Sequence, residues 1–467
     1  MYDSIIAKSF STRYDRKLLG CCALFLLITI SICSTFRPHL HPFTSIGNLG
    51  DNLPLPENPT LQTSEPTEIE TKKLEPLCRI LKADADADYC EMEGDIRVDA
   101  NSFTIFLATS PEKIAENSTV SWIIQPYPRR GMEGVKKWNV KIVGIHDNIN
   151  PKCTENHKSP AILFSTGGYS GNLFHDFADL IVPLYTTSID FKRDVQFLAS
   201  DYHSSWLSKY HELLEKFTRH EIMDIDIQKQ QVHCYKKLIA GLNFHKHFMI
   251  TRPGLSMTNF RRLICETYSL ERTRDMSTLN ITSKLGDNVT RSRPRPPRVM
   301  IIKRNGRTRV MMNHDEVSRA ASELGFEVVL AEPEKWTNLS RFARLVNSCD
   351  VLMGVHGAGL ANLVFLPENA VVIQVVPFGD IRWLAKATFG NPCGDMKLKY
   401  LEYEVGVEES SLRLKYSRED PVFTDPSSIH RKGWNELSSI YLENQNITID
   451  IGRFQSKLVE ALKLLSP

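Results

Sequence analysis

Asp350–Val376 reads DVLMGVHGAGLANLVFLPENAVVIQVV: a short apolar run, a glycine-rich turn, a helical stretch and a second apolar run. The two apolar runs are short and clearly bounded, which predicts buried strands, and the segment between them is long enough for a crossover helix. Two parallel strands joined in this way form one βαβ unit. The stretch therefore predicts a parallel α/β sheet in this part of the chain.

The same alternation continues on the N-terminal side of this unit. Short apolar runs at Val299–Lys303 and Phe326–Leu330 predict two more buried strands. Between them, Asn313 and Glu316 are spaced like a capping box, and Gly325 is placed to end the helix that follows. Strands that alternate with helices of these lengths predict a sheet built from several βαβ units.

The first half of the chain carries a less regular form of this pattern. Apolar runs at Ala161–Thr166 and Val195–Ala199 predict strands, and helices are predicted from about Asn172 and over 206–217. A stretch at 272–297 is rich in proline and charge and has little to bury, which is typical of a linker. The pattern predicts an α/β fold with two Rossmann-like halves.

The N-terminus carries a membrane signal. Leu18–Phe36 has no charged residue, and a helix of this length at about 1.5 Å per residue spans roughly 28 Å, close to a bilayer core. The basic excess before it predicts a cytosolic tail and a lumenal body. A cleaved signal peptide is the alternative, although no small-residue cleavage site follows the run cleanly. The predicted organisation is a cytosolic tail at 1–17, a signal anchor at 18–36, a stem at 37–77, a first domain at 78–290 and a second domain at 291–467.

A lumenal location has consequences for the cysteines and for the N-glycosylation sequons. The cysteines beyond the anchor are odd in number and lack the spacing of a zinc or redox site, so structural disulfides and a buried thiol are expected. N-glycosylation sequons lie in the same region and become usable acceptors in the secretory pathway. The predicted glycosylation sites are Asn117, Asn280, Asn288, Asn338 and Asn446.

The glycine-rich turn of the opening stretch is a candidate phosphate site. Small residues let the backbone approach a ligand, and the helix start supplies amide groups and a positive dipole end, which suit a diphosphate. The spacing is not that of a dinucleotide fingerprint. A tight turn that needs glycine only for packing explains the pattern equally well. The candidate ligand-binding residues are His356, Gly357, Ala358, Gly359 and Asn362.

A second glycine-rich loop enters a helix within Thr166–Tyr185, TGGYSGNLFHDFADLIVPLY. His175 and Asp179 are four residues apart and so share one helix face, and the same holds for Asn172 and Asp176. A reaction in which a hydroxyl attacks needs a general base, and histidine or aspartate can serve. A His–carboxylate pair at this spacing is also a common way to hold a helix in place, so both interpretations stay open.

A basic stretch follows one predicted strand end. Ile301–Asn313, IIKRNGRTRVMMN, contains Lys303, Arg304, Arg307 and Arg309. Ligands of open α/β sheets gather at the carboxyl ends of the strands, where cations can neutralise the charge on a departing nucleoside diphosphate. A solvated basic turn is the alternative.

Net charge and the spacing of acidic residues give no support for a nucleic-acid-binding protein or for a metal site. Lys+Arg 57 and Asp+Glu 55 nearly balance, so net charge gives no argument for a nucleic-acid partner. Two D-x-D spacings suggest a divalent metal, but neither follows an apolar strand that would make it rigid, and no metal site is predicted. The acidic residues concerned are Asp84, Asp86, Asp88, Asp224 and Asp226.

Four stretches together resemble the plant members of glycosyltransferase family 61. They are Cys90–Val98 (CEMEGDIRV), Thr166–Tyr185, Ile301–Asn313 and Leu352–Pro377, and their order and spacing match over about 78–455. The combination is highly specific, whereas no single motif suffices. The clade that this chain resembles contains xylan arabinosyltransferases and xylan xylosyltransferases, and more distant relatives transfer GlcNAc or xylose to protein-linked glycans.

The resemblance implies an α/β, GT-B-like fold of two Rossmann-like domains facing a cleft. It also implies inverting chemistry, a UDP-sugar donor, and no required metal or other cofactor. The first domain then supplies the acceptor contacts and the base, and the second binds the nucleotide. The family pattern N-x-x-H-x-F-x-D falls on Asn172, His175, Phe177 and Asp179, and the glycine-rich turn becomes the donor site.

The roles of individual residues are partly open at this point. Asp179 can activate the acceptor hydroxyl directly, or it can orient His175 as the base. Asn172 and Asp176 are the predicted acceptor contacts. The predicted donor-binding cations are Arg304 and Arg309, while Lys303 departs from the serine or small residue expected before Arg304.

The predicted function is transfer of a pentose, arabinofuranose or xylose, from a UDP-sugar onto xylan side chains in the Golgi lumen. Transfer to protein N-glycans or another wall polysaccharide is one alternative, and a non-catalytic lumenal scaffold of the same fold is another. The predicted partners are a UDP-pentose donor, xylan or another glycan as acceptor, and the Golgi membrane, with no nucleic acid. Assembly as a homodimer or within an enzyme complex stays open.

Overall fold

The computed structural model describes residues 87–110, 121–272, 295–304, 306, 308–332 and 338–466. All of these residues fall in one unit by their contacts. The predicted cytosolic tail, anchor and stem lie outside the described residues, as does most of the predicted linker. Among the described helices, none is long and apolar enough to cross a bilayer.

Helices and strands alternate along most of the described chain. In chain order, strands β1 to β14 are Cys90–Asp99, Thr104–Thr109, Ser121–Ile124, Trp138–Gly144, Glu155–Asn156, Ala161–Ser165, Gln196–Ser200, Met223–Asp224, Val232–Ala240, Arg298–Ile302, Glu327–Ala331, Val351–Val355, Val371–Val376 and Lys399–Glu404. Helices α1 to α10 are 173–188, Ser204–Phe217, Met257–Thr267, His314–Glu323, Leu339–Asn347, 382–395, Pro421–Thr424, Pro426–Arg431, 434–443 and Ile451–Leu465. Short 3₁₀ helices lie at Ile189–Phe191, Ile225–Ile227, Ala358–Phe365, Val407–Glu409 and Ser411–Leu414.

The structure has two sheets, and the second contains the stretch Asp350–Val376. It has five parallel strands in the order β11-β10-β12-β13-β14. Strands β12 and β13 pair with Val351 opposite Val371, and both are buried along their whole length. Complete burial is expected of central strands in a parallel sheet, which is covered on both faces. The predicted βαβ alternation is confirmed here.

The connection between β12 and β13 differs from its predicted form. It is a 3₁₀ helix, Ala358–Phe365, rather than an α-helix. Its residues from Leu360 onward are all buried, so this part of the segment has no solvent-exposed face and lacks the alternation of polar and apolar faces that an amphipathic α-helix shows. The tighter 3₁₀ winding is used in short pieces such as this one.

The first sheet is mixed, with the order β3-β4-β2-β1-β9-β6-β7-β8 and β5 beside β9. The strands from β9 through β6 and β7 to β8 are parallel, as a Rossmann-like half requires. Strand β1 instead runs antiparallel to both β2 and β9. It alternates between more and less buried positions, which is typical of an antiparallel strand with one face towards solvent. Strand β6 is buried throughout, as expected of a parallel strand that is covered on both faces. The prediction of a Rossmann-like first half therefore describes only its parallel portion.

One apolar core joins the two sheets. The cluster contains Phe177 and Ala178 of α1 together with Leu360 and Phe365 of the 3₁₀ helix. The rings of Phe177 and Phe365 meet edge to face with centroids 5.6 Å apart, a favoured aromatic geometry. Helix α1 of the first half therefore packs directly on the segment that follows the glycine-rich turn.

A buried arginine strengthens the same contact. Arg261 of α3 is 4% exposed and donates to the carbonyl oxygens of Val364, Leu366 and Met396. Burial lowers the pKa of Arg261, and the three carbonyl acceptors compensate for the water that its guanidinium has lost. Helix α3 belongs by sequence to the predicted first domain, yet it holds loops of the second half. The predicted domain boundary at 290 stays a prediction.

A disulfide between Cys153 and Cys234 ties the loop before β5 to β9. Cys265, Cys349 and Cys393 are free thiols, and the last two of them are buried. The expectation of a structural disulfide together with buried thiols is confirmed for the described residues. Cys78 lies outside them.

Candidate functional site

The second sheet has a switch point at the predicted donor site. Strand β10 lies between β11 and β12, so the chain moves from β10 to β11 on one side and then crosses back to β12 on the other. This reversal of direction opens a crevice at the carboxyl ends of β10 and β12. Arg304 follows the end of β10 by two residues, and His356 follows β12 directly. Open α/β sheets bind ligands at such a crevice.

Gly357 allows an arginine to lie against the turn. Its backbone has φ 151° and ψ 177°, a conformation that is essentially restricted to glycine. A Cβ at this position would stand 2.5 Å from Nη1 of Arg304. That nitrogen donates to the carbonyl oxygen of His356 at 3.3 Å. Glycine at 357 is therefore required for the Arg304 guanidinium to reach the backbone of the turn.

His356 is a buried, neutral histidine with a defined tautomer. Its Nδ1 lies 2.7 Å from Nε2 of Gln374, whose Oε1 accepts from the hydroxyl of Tyr400 at 2.9 Å. The Gln374 amide thus donates to Nδ1, which places the imidazole proton on Nε2. Burial, followed by the nearby Arg309 and Arg304, holds the pKa of His356 well below its usual range. The ring can therefore donate a hydrogen bond to an anion without carrying a charge.

Arg309 is a buried cation without full compensation. It is 6% exposed, and its backbone, at φ 53°, donates to the carbonyl oxygen of Gln445 at 2.6 Å. Within the described part of the chain, Nε and Nη1 have no hydrogen-bond partner. Burial and the neighbouring Arg304 lower the pKa of Arg309, while Glu443 opposes this effect. A buried guanidinium in this state strongly favours the arrival of an anion.

The remaining predicted donor residues lie along the same turn. Ala358 and Gly359 are partly exposed and begin the 3₁₀ helix, whose first amide groups have no acceptor within the helix. The side chain of Asn362 donates to the carbonyl oxygen of Gly359 at 2.8 Å, and its own oxygen is buried without a partner among the described residues. The structure thus brings the predicted donor residues to one place. Arg307 lies outside the described residues.

The predicted base and acceptor-binding residues lie on α1 or at its start. Asn172 caps this helix by accepting from the amide of Phe174 at 3.1 Å. The helix widens into a π-helical turn over Asp176–Ile181, which contains Asp179, before it continues as an α-helix. Such π-helical insertions occur frequently at functional sites. His175 and Asp179 are both fully buried, and Nδ1 of His175 lies 2.7 Å from the Asp179 carboxylate.

The Asp179 carboxylate is enclosed by donors. Arg129 donates from Nε and Nη2 to both of its oxygens, at 2.8 and 2.7 Å, in the two-point geometry that arginine favours. The hydroxyl of Tyr127 adds a third bond at 3.0 Å. His247 contacts Nη2 of Arg129, and its Nε2 lies 3.9 Å from one Asp179 oxygen. With these neighbours and His175 around it, Asp179 is positioned to orient another group rather than to reach a substrate.

The protonation states follow from this arrangement. Burial alone raises the pKa of Asp179, but Arg129 and His175 outweigh it and hold that pKa well below its usual range. Burial lowers the pKa of His175 even though Asp179 opposes the change. Burial, with Arg129, also lowers the pKa of His247 to about 3. An ionised Asp179 therefore accepts a hydrogen bond from Nδ1–H of a neutral His175, which leaves Nε2 of His175 as the basic atom.

Asp176, a predicted acceptor contact, is occupied by structural hydrogen bonds. One of its oxygens accepts from the amide of Gly171 and from Nε1 of Trp206, at 2.7 and 2.9 Å. The other accepts from the hydroxyl of Tyr210 at 2.7 Å and from Nζ of Lys209 at 3.2 Å. These bonds join α1 to α2 and account for a buried carboxylate. The acceptor roles of Asp176 and of the capping residue Asn172 stay predictions.

Two aromatic rings link the His175–Asp179 pair to the predicted donor turn. Phe174, the neighbour of His175, packs edge to face on Phe389 of α6 with centroids 5.5 Å apart. Phe389 in turn packs on His356 with centroids 5.9 Å apart. The candidate base and the candidate donor turn therefore border the same aromatic cluster.

Several residues of the site were not predicted from the sequence. Arg129, Tyr127 and His247 are far from α1 in sequence, and Gln374 lies within an otherwise apolar strand. The stretch QPYPRRG at 125–131 offered one signal, because its prolines make a rigid loop that carries two arginines. A polar residue in the middle of a fully buried strand was the signal for Gln374.

The D-x-D aspartates that the structure describes form hydrogen bonds and ion pairs with other residues of the chain. Asp224 accepts from the amide of Asp226, which pairs with Lys136 at 2.6 Å. Asp88 pairs with Arg130 at 2.6 Å. Across the described ranges, no three His, Cys, Asp or Glu side chains are grouped so that they could hold a metal ion. Asp84 and Asp86 lie outside the described residues.

Two of the predicted glycosylation sites are described. Asn338 is exposed and caps α5, and Asn446 is partly exposed, with its side-chain oxygen accepting from the amide of Val310 at 3.0 Å. The other three, Asn117, Asn280 and Asn288, lie outside the described residues.

The fold and site define a class of protein. A parallel α/β sheet with arginines, a glycine turn and a neutral histidine at its switch point is the architecture of a protein that binds a phosphate-bearing ligand. The family model described as Glycosyltransferase 61 matches residues 171–373, which contain both the His175–Asp179 pair and the turn at Gly357.

Relatives extend this match over most of the chain. An alpha-1,3-arabinosyltransferase of rice (Oryza sativa subsp. japonica) is 41% identical over 82% of this chain and 64% of its own length. A rice beta-1,2-xylosyltransferase is 38% identical over 84% of this chain and 85% of its own length. A xylan glycosyltransferase of Arabidopsis thaliana is 30% identical over 94% and 90%, respectively. The chain belongs to glycosyltransferase family 61. It spans less than two thirds of the length of the rice arabinosyltransferase.

Proposed function

We propose that this protein is an inverting pentosyltransferase that moves arabinofuranose or xylose from a UDP-sugar onto side chains of xylan. The names of the relatives supply the type of sugar and the polymer, because they include an arabinosyltransferase, a xylosyltransferase and a xylan glycosyltransferase. The observation that carries the proposal is a buried His–Asp pair that borders the same aromatic cluster as a turn with an incompletely compensated arginine. This arrangement suits hydroxyl activation next to a diphosphate.

The donor diphosphate is assigned to the switch point of the second sheet. Arg304 and Arg309 face the departing diphosphate and stabilise the charge that grows on it. His356 adds a neutral hydrogen bond from Nε2. Because two arginines neutralise the leaving group, this assignment requires no divalent cation or other cofactor. In this proposal the chain is GT-B-like, with the nucleotide in the second half and the acceptor in the first.

The reaction is a single displacement at the anomeric carbon. The acceptor hydroxyl oxygen forms a bond to that carbon while the bond from the carbon to the diphosphate oxygen breaks, so the configuration inverts. Nε2 of His175 takes the hydroxyl proton, and the UDP leaves with the bonding electrons. Asp179 keeps the imidazole in the required tautomer and stabilises it once it is charged. This choice favours His175 over Asp179 as the base.

Access to the base requires movement of the glycine-rich loop that precedes α1. Tyr169 is only partly buried and covers His175, with ring centroids 4.5 Å apart. The amide of Tyr169 donates to the hydroxyl of Tyr127, a neighbour of Asp179, at 3.3 Å. An arriving acceptor chain must therefore displace the Tyr169 ring to place a hydroxyl against Nε2.

The proposed location is the Golgi membrane, with a single-pass anchor at 18–36 and the catalytic body in the lumen. The Cys153–Cys234 disulfide supports an oxidising compartment. The exposed sequon at Asn338 supports passage through the secretory pathway, where glycosylation takes place. The basic residues before the apolar run support the orientation.

The test is a donor and acceptor screen with the full-length protein. UDP release is measured from UDP-arabinofuranose, UDP-xylose and UDP-GlcNAc, each with xylo-oligosaccharides, with a protein-type N-glycan or with no acceptor. The proposal expects release that depends on a UDP-pentose and on the xylo-oligosaccharide. Release only with the N-glycan supports the alternative acceptor. A folded protein that releases no UDP under any condition supports a non-catalytic scaffold, and either result contradicts the proposal.

A further inference from the structure

A cavity with a basic rim lies away from the proposed site. It has a volume of about 160 Å³ and is bounded by the C-terminal end of α1, the turn after it, the end of α2 and one residue of α3. Its lining residues are Tyr185, Ser188, Ile189, Lys192, Arg193, Lys216, Phe217 and Leu263. Tyr185 is ten residues beyond His175, so the cavity begins about 15 Å further along the same helix at about 1.5 Å per residue.

Three cations line this cavity. Lys192, Arg193 and Lys216 are exposed, and among the described residues none of them has an acidic partner within ion-pair distance. The nearby acids are engaged elsewhere. Asp190 pairs with Arg252, and Asp194 pairs with Arg219 and His220. The cavity therefore has a positive rim with no carboxylate of the described residues within ion-pair distance.

The interior of the cavity is aromatic and carries two hydroxyl groups. Tyr185 and Phe217 are 5% and 3% exposed, with ring centroids 6.0 Å apart. Ser188 is 2% exposed. Within the described ranges, neither the Tyr185 nor the Ser188 hydroxyl has a hydrogen-bond partner. Burial raises the pKa of Tyr185, so its phenol keeps its proton and can donate.

We propose that this cavity binds a carboxylate-bearing sugar unit of the polysaccharide acceptor. The cations at the rim attract the carboxylate, and the hydroxyl groups of Tyr185 and Ser188 can pair with ring hydroxyls. The apolar C–H face of a pyranose ring fits an interior made of Tyr185, Phe217 and Leu263. A pocket that is mostly apolar with a few convergent polar groups is the usual form of a small-ligand site.

Free phosphate fits this cavity less well than an acidic sugar does. It would satisfy the cations but leave the aromatic surface of Tyr185 and Phe217 without a partner. A neutral sugar would fill the interior but leave the rim charges uncompensated. Only a ring with an attached anion uses both parts of the cavity.

The inference rests on the proposed function, because the acidic unit is taken to belong to the same polymer that presents its hydroxyl to His175. An acceptor held at both places is bound at two points on one rigid helix. Binding at the second point lowers the KM for acidic acceptors without changing the chemical step. The cavity thus selects which xylan chains, or which parts of a chain, are modified.

The test is titration calorimetry with the full-length protein and three probes: a xylo-oligosaccharide carrying one glucuronate, the unsubstituted oligosaccharide of equal length, and inorganic phosphate. We expect the acidic oligosaccharide to bind about tenfold more tightly than the neutral one, since charge-assisted hydrogen bonds contribute on this scale. Lys192→Glu/Lys216→Glu should remove this preference, and Tyr185→Phe should reduce it. The matched double variant Lys229→Glu/Lys463→Glu, which changes the same charge at exposed positions elsewhere, should keep it.

Equal binding of the two oligosaccharides, or a preference that survives in Lys192→Glu/Lys216→Glu, overturns the inference. Full displacement of the acidic oligosaccharide by phosphate at comparable concentration also overturns it, because it identifies a simple anion site. Pentose transfer to the neutral oligosaccharide is measured in parallel. Loss of transfer with the binding preference intact contradicts the proposed function alone, and loss of the preference with transfer intact contradicts this inference alone.

Discussion

At the scale of single residues, the site depends on one carboxylate that is fully engaged. Asp179 receives hydrogen bonds from Arg129, Tyr127 and His175, and none of its surface is exposed. A carboxylate with a strongly lowered pKa is a weak base, but it is well suited to hold an imidazole in one tautomer. Removing either member of the buried Asp179–Arg129 pair should cost about 3 to 5 kcal/mol, because it leaves a charge uncompensated.

The first prediction concerns the base. His175→Gln should lower kcat by about 10²- to 10⁴-fold, the range that general base catalysis contributes, with little change in donor KM. Asp179→Asn should also lower kcat, because it removes the group that orients His175. Steady-state kinetics on the purified variants measures both effects, and His211→Gln on the exposed face of α2 is the matched control. Turnover near the wild-type rate in Asp179→Asn contradicts a role for this residue either as base or as orienting group.

The second prediction concerns pH. Neutral His175 is the active form, and its pKa lies below the ordinary value of about 6.5 because the ring is buried. Activity should therefore be present at neutral pH and fall with an acid-side midpoint below about 6.5. Asp179 raises the pKa of His175, so Asp179→Asn should move the residual midpoint to lower pH. A pH profile of kcat with its acid midpoint clearly above 6.5 is incompatible with this assignment.

The third prediction concerns the buried cation of the donor site. Arg309→Met removes a guanidinium whose Nε and Nη1 have no partner among the described residues, so the ligand-free protein should gain stability. The same change should abolish most of the thermal stabilisation that UDP gives to the wild-type protein. Thermal unfolding with and without UDP measures both effects, and Arg319→Met at an exposed position of α4 is the control. UDP stabilisation equal to wild type in Arg309→Met excludes Arg309 from the donor site.

At the scale of elements, function depends on how two helical segments meet. The π-helical turn of α1 contains Asp179, and the 3₁₀ helix at Ala358–Phe365 follows the donor turn. Phe177 and Phe365 pack these segments together, and Arg261 holds the end of the 3₁₀ helix through its carbonyl oxygens. A shift in one segment is therefore transmitted directly to the other.

The fourth prediction concerns the turn itself. Gly357→Ala places a Cβ 2.5 Å from Arg304 in a backbone conformation that only glycine adopts readily, so it should cost about 1 to 3 kcal/mol and raise the donor KM. Gly394→Ala is the matched control, since a Cβ there meets no atom within 4 Å, and it should be neutral or slightly stabilising. Thermal unfolding and donor kinetics measure the two variants. Equal behaviour of both contradicts the proposed role of Gly357.

Features formed by residues close together in the sequence could be predicted, whereas features formed by residues far apart in the sequence could not. Local patterns were sufficient for the parallel strands around Asp350–Val376 and for the His175–Asp179 pair, because the residues concerned are neighbours along the chain. Arg129 lies fifty positions before Asp179 and meets it only through tertiary packing, for which no spacing rule exists. The antiparallel β1 was missed for a similar reason, since its partners β2 and β9 include one that is distant in sequence.

At the scale of the whole molecule, the two sheets act as one body. A continuous apolar core links α1, α3 and the second sheet, so the base and the donor turn are held in a fixed relation. The Cys153–Cys234 disulfide constrains the first sheet, and removing such a bridge costs a domain about 2 to 4 kcal/mol. The cavity at the C-terminal end of α1 adds a second proposed acceptor contact, positioned by the helix that carries the base.

The most direct test of the central claim is mass spectrometry of the transfer product. Full-length protein is incubated with xylo-oligosaccharides and either UDP-arabinofuranose or UDP-xylose, and His175→Gln is treated identically. We expect oligosaccharides extended by one pentose with the wild-type protein and strong loss of that product with the variant. A folded wild-type protein that yields no pentose-extended product with either donor, or a His175→Gln variant that yields as much product as wild type, contradicts it.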